Sequence, residues 1–116
     1  MTLYNLAFIS KFLLTSLFFV SAFKTLFFSF PSFVSAIDAK NIPLPFYTAI
    51  FVLLLKFLAS FFILFGSSSL RSFGVFLLVS FTLLTIFFFH NAFLDPSQFN
   101  HMFKNISIIG GLLALL

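Results

Sequence analysis

The sequence predicts an all-α membrane protein: an antiparallel bundle of four transmembrane helices, one domain over residues 1–116. Three observations carry that expectation. The 116 residues are 62% hydrophobic and only 7% charged, against about 25% charged in an average soluble domain, so no single core hides this much apolar surface from water. The apolar residues fall into four long stretches, broken at Pro31, at Gly66 and at Asp95-Pro96. The second stretch, Phe46 to Phe65, holds twenty residues, which at about 1.5 Å rise each span about 30 Å, the hydrocarbon thickness of a bilayer.

The first stretch runs from Leu3 to Phe30 and contains Lys11 and Lys24. Helical side chains lean toward the helix N-terminus, so Lys11 snorkels to the near interface and serves as an anchor, whereas Lys24 leans back into the membrane. A cleaved signal peptide fits poorly, because the n-region has no basic residue and Lys11 interrupts the apolar run.

Pro31 stops the first helix. Residues 32–45 then form a connection bearing Asp38 and Lys40, with a short interfacial helix expected over Ser32 to Ala39. Asn41-Ile42-Pro43-Leu44-Pro45 reads as an extended segment leading into the second helix, since each proline biases its predecessor toward extended geometry. Lys56 sits at the centre of that second helix. A charge at the bilayer midplane costs about 2.5 to 3.5 kcal/mol on insertion scales, which the surrounding Leu, Ile, Phe and Val residues outweigh. Such a residue marks a functional position and calls for a partner.

Gly66 ends the second helix, and the connection through Ser67-Ser68-Ser69 is short enough to force an antiparallel return. The third helix is expected from about Arg71 to Phe93, with Arg71 as a second interfacial anchor and His90 and Asn91 near its far end. Ser97 reads as the N-cap of a fourth helix from 97 to 116. Gln98, His101 and Asn105 share one face of that helix, Lys104 lies beside them, and Gly110-Gly111 offers a neighbouring backbone close approach.

In helix 4, Lys104-Asn105-Ile106-Ser107-Ile108-Ile109-Gly110-Gly111-Leu112-Leu113 resembles the signature of the DoxX family of small four-helix membrane proteins. Lys24, the Ile42-Pro43-Leu44-Pro45 segment, Gly66 followed by Arg71, and His90 support the resemblance in order and spacing. Two positions depart from the bacterial pattern. Lys56 stands where that pattern has a glutamate, and Ala59-Ser60 stands where it has a glycine pair, so these two small residues are expected at a helix contact. A lysine at this place followed by Ile63-Leu64-Phe65-Gly66-Ser67-Ser68 is similar to the related plant lesion-inducing proteins. The resemblance implies a small subunit associated with a membrane redox or quinone-linked complex.

Lys56, Lys24, His90, Lys104 and Asn105 come from all four helices and are the candidate ligand-pocket residues. Without an intramembrane carboxylate among them, they suit a small anion, a lipid headgroup or the carbonyls of a quinone. A transporter or channel-like bundle binding an anion or lipid is the alternative reading, and a structural membrane scaffold is a third. No catalytic constellation is evident, so the chain reads as at most an accessory subunit, with any electron carrier on a partner. Cysteine is absent and both histidines lie near helix ends, so neither a metal site nor haem is expected. The basic residues are scattered singly through apolar sequence, which argues against nucleic acid. The Asn105-Ile106-Ser107 sequon falls inside a helix. The bilayer itself, a redox partner subunit and further copies of the chain are the partners in view. The cell (inner) membrane is the expected location, and Lys11 and Arg71 favour cytoplasmic termini.

Overall fold

A computed structural model describes residues 3–116, with side chains from residue 5 onward. The order of elements is α1 (Leu3–Phe28), α2 (Phe30–Ala39), α3 (Pro45–Phe65), α4 (Ser68–Phe89), a 3-10 turn (Pro96–Gln98) and α5 (Phe99–Leu113). Among the described residues there is no strand. Three helices are long and apolar enough to cross a membrane: Asn5–Phe28, Pro45–Phe65 and Ser68–Phe89, with mean hydropathies of 1.9, 2.5 and 2.3. Their outer faces present large apolar side chains such as Phe27, Phe51, Phe61, Phe76 and Leu84. Surfaces of this kind are stable only against lipid, and the chain is an integral membrane protein.

Among the described residues, five α-helices stand where the sequence predicts four and a short interfacial one. Ser29 leaves the helical region (φ −143°, ψ 24°), and Pro31 falls in the first turn of α2, where a missing N–H costs nothing. The break therefore comes before Pro31, and α2 starts earlier than residue 32. Its Ile37 is buried, while the rest of that turn is exposed.

The segment before α3 is turned, not extended. Leu44 adopts a left-handed conformation (φ 50°, ψ 60°), a region that costs a branched residue about 1 to 2 kcal/mol. It is held there by hydrogen bonds: Thr48 N–H donates to Leu44 O at 2.8 Å, and the Thr48 hydroxyl donates to Pro43 O at 2.9 Å. The bias of a pre-proline residue toward extended geometry is overridden here by these two hydrogen bonds.

The third long helix starts and stops earlier than residues 71–93. Ser67 caps its N-terminus, accepting from Leu70 N–H at 3.5 Å. Beyond His90 the Asn91 side chain accepts from Phe93 N–H at 3.0 Å, an Asx turn that competes with helix continuation. The fourth stretch differs too. Ser97 does not cap the helix: Asp95 caps a 3-10 turn, its Oδ1 accepting from the Ser97 amide at 3.1 Å and the Ser97 hydroxyl at 2.7 Å, and α5 starts after Gln98 with no side-chain cap. A 3-10 turn intervenes before α5, whose 15 residues are shorter than residues 97–116.

The Ser97 hydroxyl, then its amide, hold the Asp95 carboxyl below the usual carboxylate range. Because the folded value is depressed, this contribution is fully present above the ordinary carboxylate pKa of about 4 and fades as pH falls through the lower folded value. An NMR titration is expected to place the Asp95 midpoint below that of an unfolded peptide, with Ser97→Ala raising it. A midpoint unmoved by Ser97→Ala contradicts the assignment.

The long helices run antiparallel to their neighbours. Phe8 of α1 meets Phe65 at the end of α3 (centroids 6.2 Å apart), while Phe30 beyond the other end of α1 meets Phe46 (5.7 Å). Phe62 of α3 meets Phe73 of α4 (6.2 Å). At the two ends of the α4–α5 pair, Arg71 Nε donates to Leu115 O at 3.1 Å and His90 stacks on His101 at 4.9 Å. The buried cluster draws Phe18 from α1, Ala59 and Ile63 from α3, Val75 and Leu78 from α4, and Leu112 from α5.

Helices in lipid gain no hydrophobic stabilisation from each other, so close packing decides their association. Gly74 allows a close approach. A Cβ built there would lie 2.7 Å from Ala59 O and 3.0 Å from Ile63 Cγ1, so α3 and α4 touch through backbone. Ala59 and Ser60 are both buried in α3. Gly110 is different from its expectation, since nothing lies within 4 Å of a Cβ placed there, and Gly111 makes only ordinary contact, 3.4 Å, with Leu14.

Candidate functional site

The interior face of α3 carries Leu53, Ser60 and Ile63, all buried. Lys56 shares that stripe, three residues beyond Leu53 and four before Ser60. It is therefore carried inward by the same periodicity that builds the core. The Lys56 ammonium donates to Ser21 Oγ of α1 at 3.2 Å and stands over the Phe81 ring of α4, 5.0 Å from its centroid. A ring face attracts a cation through its quadrupole, more strongly when both are out of water.

Beside the ammonium lies a cavity of about 150 Å³, with Ser21, Lys56, Thr82, Thr85 and Asn105 as its polar lining and Leu17, Phe18, Phe81 and Ile108 as its apolar walls. Helices α1, α3, α4 and α5 all contribute to it. Thr82 donates its hydroxyl to Leu78 O at 2.7 Å and Thr85 donates to Phe81 O at 3.0 Å. Both hydroxyl hydrogens are used within α4, so toward the cavity these residues present acceptor lone pairs. Asn105 supplies a donor and an acceptor. With Ser21 and the ring taking two directions of the ammonium, its third N–H is available to a guest. The site can bind a hydrogen-bond acceptor, charged or neutral, in a partly apolar enclosure.

Of the five residues expected to converge, the structure brings Lys56 and Asn105 to this cavity. Lys24 and Lys104 are exposed. Each is off the inward stripe of its own helix: Ser21 and Ala22 of α1 and Asn105 of α5 take the interior positions instead. Of the candidate pocket residues, Lys24 and Lys104 therefore lie outside this cavity. His90 is half-buried at the end of α4, where its Nδ1 lies 2.8 Å from Gln98 Oε1. With the amide oxygen accepting, Nδ1 carries the hydrogen. The anchors Lys11 and Arg71 share a groove at the opposite end of the bundle.

Ser21, Phe81, Thr82 and Thr85 are site residues that sequence reasoning missed. Hydroxyl residues three apart in an otherwise apolar span are a usable signal, as at Thr82 and Thr85. No such signal picks out Phe81 among 24 phenylalanines. Ser60 Oγ is buried without a hydrogen-bond partner, one position along α3 from Ala59 at the Gly74 contact.

Comparison with protein-family models, with curated proteins and with solved structures gives no match.

Proposed function

We propose that the chain is a DoxX-like small subunit of a membrane redox or quinone-linked complex, built as four antiparallel transmembrane helices around the Lys56 cavity. One observation carries this reading: an ammonium at the middle of α3 with one hydrogen-bond acceptor among the described residues, facing a cavity drawn from α1, α3, α4 and α5. The residue-by-residue resemblance in helix 4 supports the family assignment. For the fourth crossing, the 3-10 turn and α5 together extend about 28 Å, close to the hydrocarbon thickness.

Cavity size separates the candidate guests. Pockets that enclose whole ligands run to about 300 to 1,000 Å³, and about 150 Å³ admits a small anion or the carbonyl end of a larger molecule. In the quinone reading, Lys56 donates to the carbonyl oxygen, Asn105 and Ser21 orient the head, and the rest of the molecule leaves between helices. The electron carrier belongs to a partner.

Affinity purification in mild detergent, followed by mass spectrometry of co-purifying proteins and small molecules, tests the reading. The expected result is a flavin-, haem- or quinone-reactive partner together with a bound quinone. A preparation that holds neither overturns it. Anion uptake by proteoliposomes containing this protein alone, abolished by Lys56→Leu, would assign the cavity to a transporter instead.

A further inference from the structure

We propose that the groove between the N-terminal part of α1, the N-terminus of α4 and the end of α5 binds the phosphate headgroup of one anionic phospholipid, gripped by Lys11 and Arg71. This site is separate from the Lys56 cavity and does not depend on the reading given for it. The groove has a volume of about 610 Å³ and is open to the outside, with Lys11, Leu14, Arg71, Gly111, Leu115 and Leu116 among its lining.

Arg71 is already oriented there. Its Nε donates to Leu115 O at 3.1 Å, which fixes the guanidinium plane and leaves the two terminal nitrogens for another acceptor. The Lys11 ammonium makes no hydrogen bond or ion pair among the described residues. The chain has two acidic side chains in all. Asp38 lies in α2 and Asp95 caps the 3-10 turn, both at the other end of the bundle. Two cations therefore line one groove, and neither is ion-paired among the described residues.

Position and wall chemistry identify the anion. Helix ends are where headgroups lie, and basic pockets between transmembrane helices suit anionic heads. The apolar walls of Leu14, Leu115 and Leu116 match acyl chain, a surface that a free phosphate ion leaves unused. A zwitterionic head would bring its own cation against Lys11 and Arg71.

Native mass spectrometry of the delipidated full chain in detergent, titrated with phosphatidylglycerol or with phosphatidylcholine of the same acyl chains, tests the proposal. One phosphatidylglycerol is expected to bind at least tenfold more tightly than phosphatidylcholine. Lys11→Gln should weaken it about fivefold, the effect of one cation at a membrane surface, and Lys11→Arg should restore it to within about twofold. Arg71→Gln should weaken it at least as much, but that variant also loses the Leu115 bond, so Lys11→Gln decides. Equal retention of the two lipids, or full binding by Lys11→Gln with unchanged helicity, overturns the proposal. Displacement of the lipid by equimolar inorganic phosphate also overturns it, in favour of a soluble-anion site.

Discussion

Gly74→Leu is expected to separate α3 from α4 and to lower the unfolding midpoint in micelles by the equivalent of about 3 kcal/mol, the upper part of the usual overpacking range. The magnitude follows from what the new Cβ meets. Ala59 O would lie 2.7 Å away, and a backbone oxygen inside a helix does not move aside as a flexible side chain does. The helices must part, which pulls Phe62 away from Phe73 and opens the buried cluster between Ile63 and Leu78. In lipid no hydrophobic gain offsets that loss, because the freed side chains meet acyl chains instead of water. Gly110→Leu is the control. It faces open space, so a change within about 0.5 kcal/mol is expected. Circular dichroism during titration of the purified protein with a denaturing detergent reads both, and equal midpoints for the two variants would refute the packing assignment.

The second large effect concerns Lys56. Insertion of the isolated α3 span is expected to become about 3 kcal/mol more favourable in Lys56→Leu, since the scale moves from a strongly unfavourable residue to a mildly favourable one. The folded bundle should change much less. A hydrogen bond from a charged donor contributes about 1.5 to 3 kcal/mol, and a desolvated cation over a ring contributes up to about 2 kcal/mol. Ser21 and Phe81 together thus offset roughly the whole midplane cost, and removing cost and offset together leaves stability within about 1 kcal/mol. Ligand binding, in contrast, should be lost. A folded variant with unaltered partner and ligand content would remove Lys56 from the function.

Lys56→Gln separates the two guest chemistries within this prediction. A neutral amide still donates to a carbonyl, with binding weakened about tenfold by the difference between charged and neutral hydrogen bonds. An anion loses its counter-charge and should no longer bind measurably. Isothermal titration of the purified variant with a water-soluble quinone and with a small anion distinguishes them.

Helix rotation explains why the site is only half legible in the sequence. Lys56 announces itself, because a lysine in the middle of a twenty-residue, mostly apolar stretch is costly wherever the helix faces. Asn105 is visible as part of a polar stripe. Lys24 and Lys104 draw the same attention, yet their exposure follows from how each helix is turned, and that is set by which residues pack. Ser21 and Thr82 look ordinary along the chain, and they matter through what stands opposite them.

Local chemistry accounts for the element boundaries that differ. Pro31 reads as a stop, but one proline in a first turn starts α2 as readily as it ends α1. Ser97 and Asp95 both have capping side chains, and the choice between them rests on which oxygen reaches which amide. The left-handed Leu44 depends on Thr48, four residues ahead in α3. Each of these outcomes is a competition between short-range hydrogen bonds of similar strength, which residue type alone does not rank.

By itself the sequence determined that this protein lives in a membrane as apolar helices and that one charge lies near the middle of the second long one. Both follow from transfer free energies summed along the chain, which need no knowledge of neighbours. Tertiary structure alone decided that Gly74 and not Gly110 packs tightly against another helix. It also decided that Lys56 meets Ser21 and Phe81 and shares its cavity with Asn105, not with the other lysines. Those facts depend on the rotation of each helix about its axis. In lipid that rotation is chosen by fit between side chains from different helices, a property of pairs of surfaces that no single stretch of sequence contains.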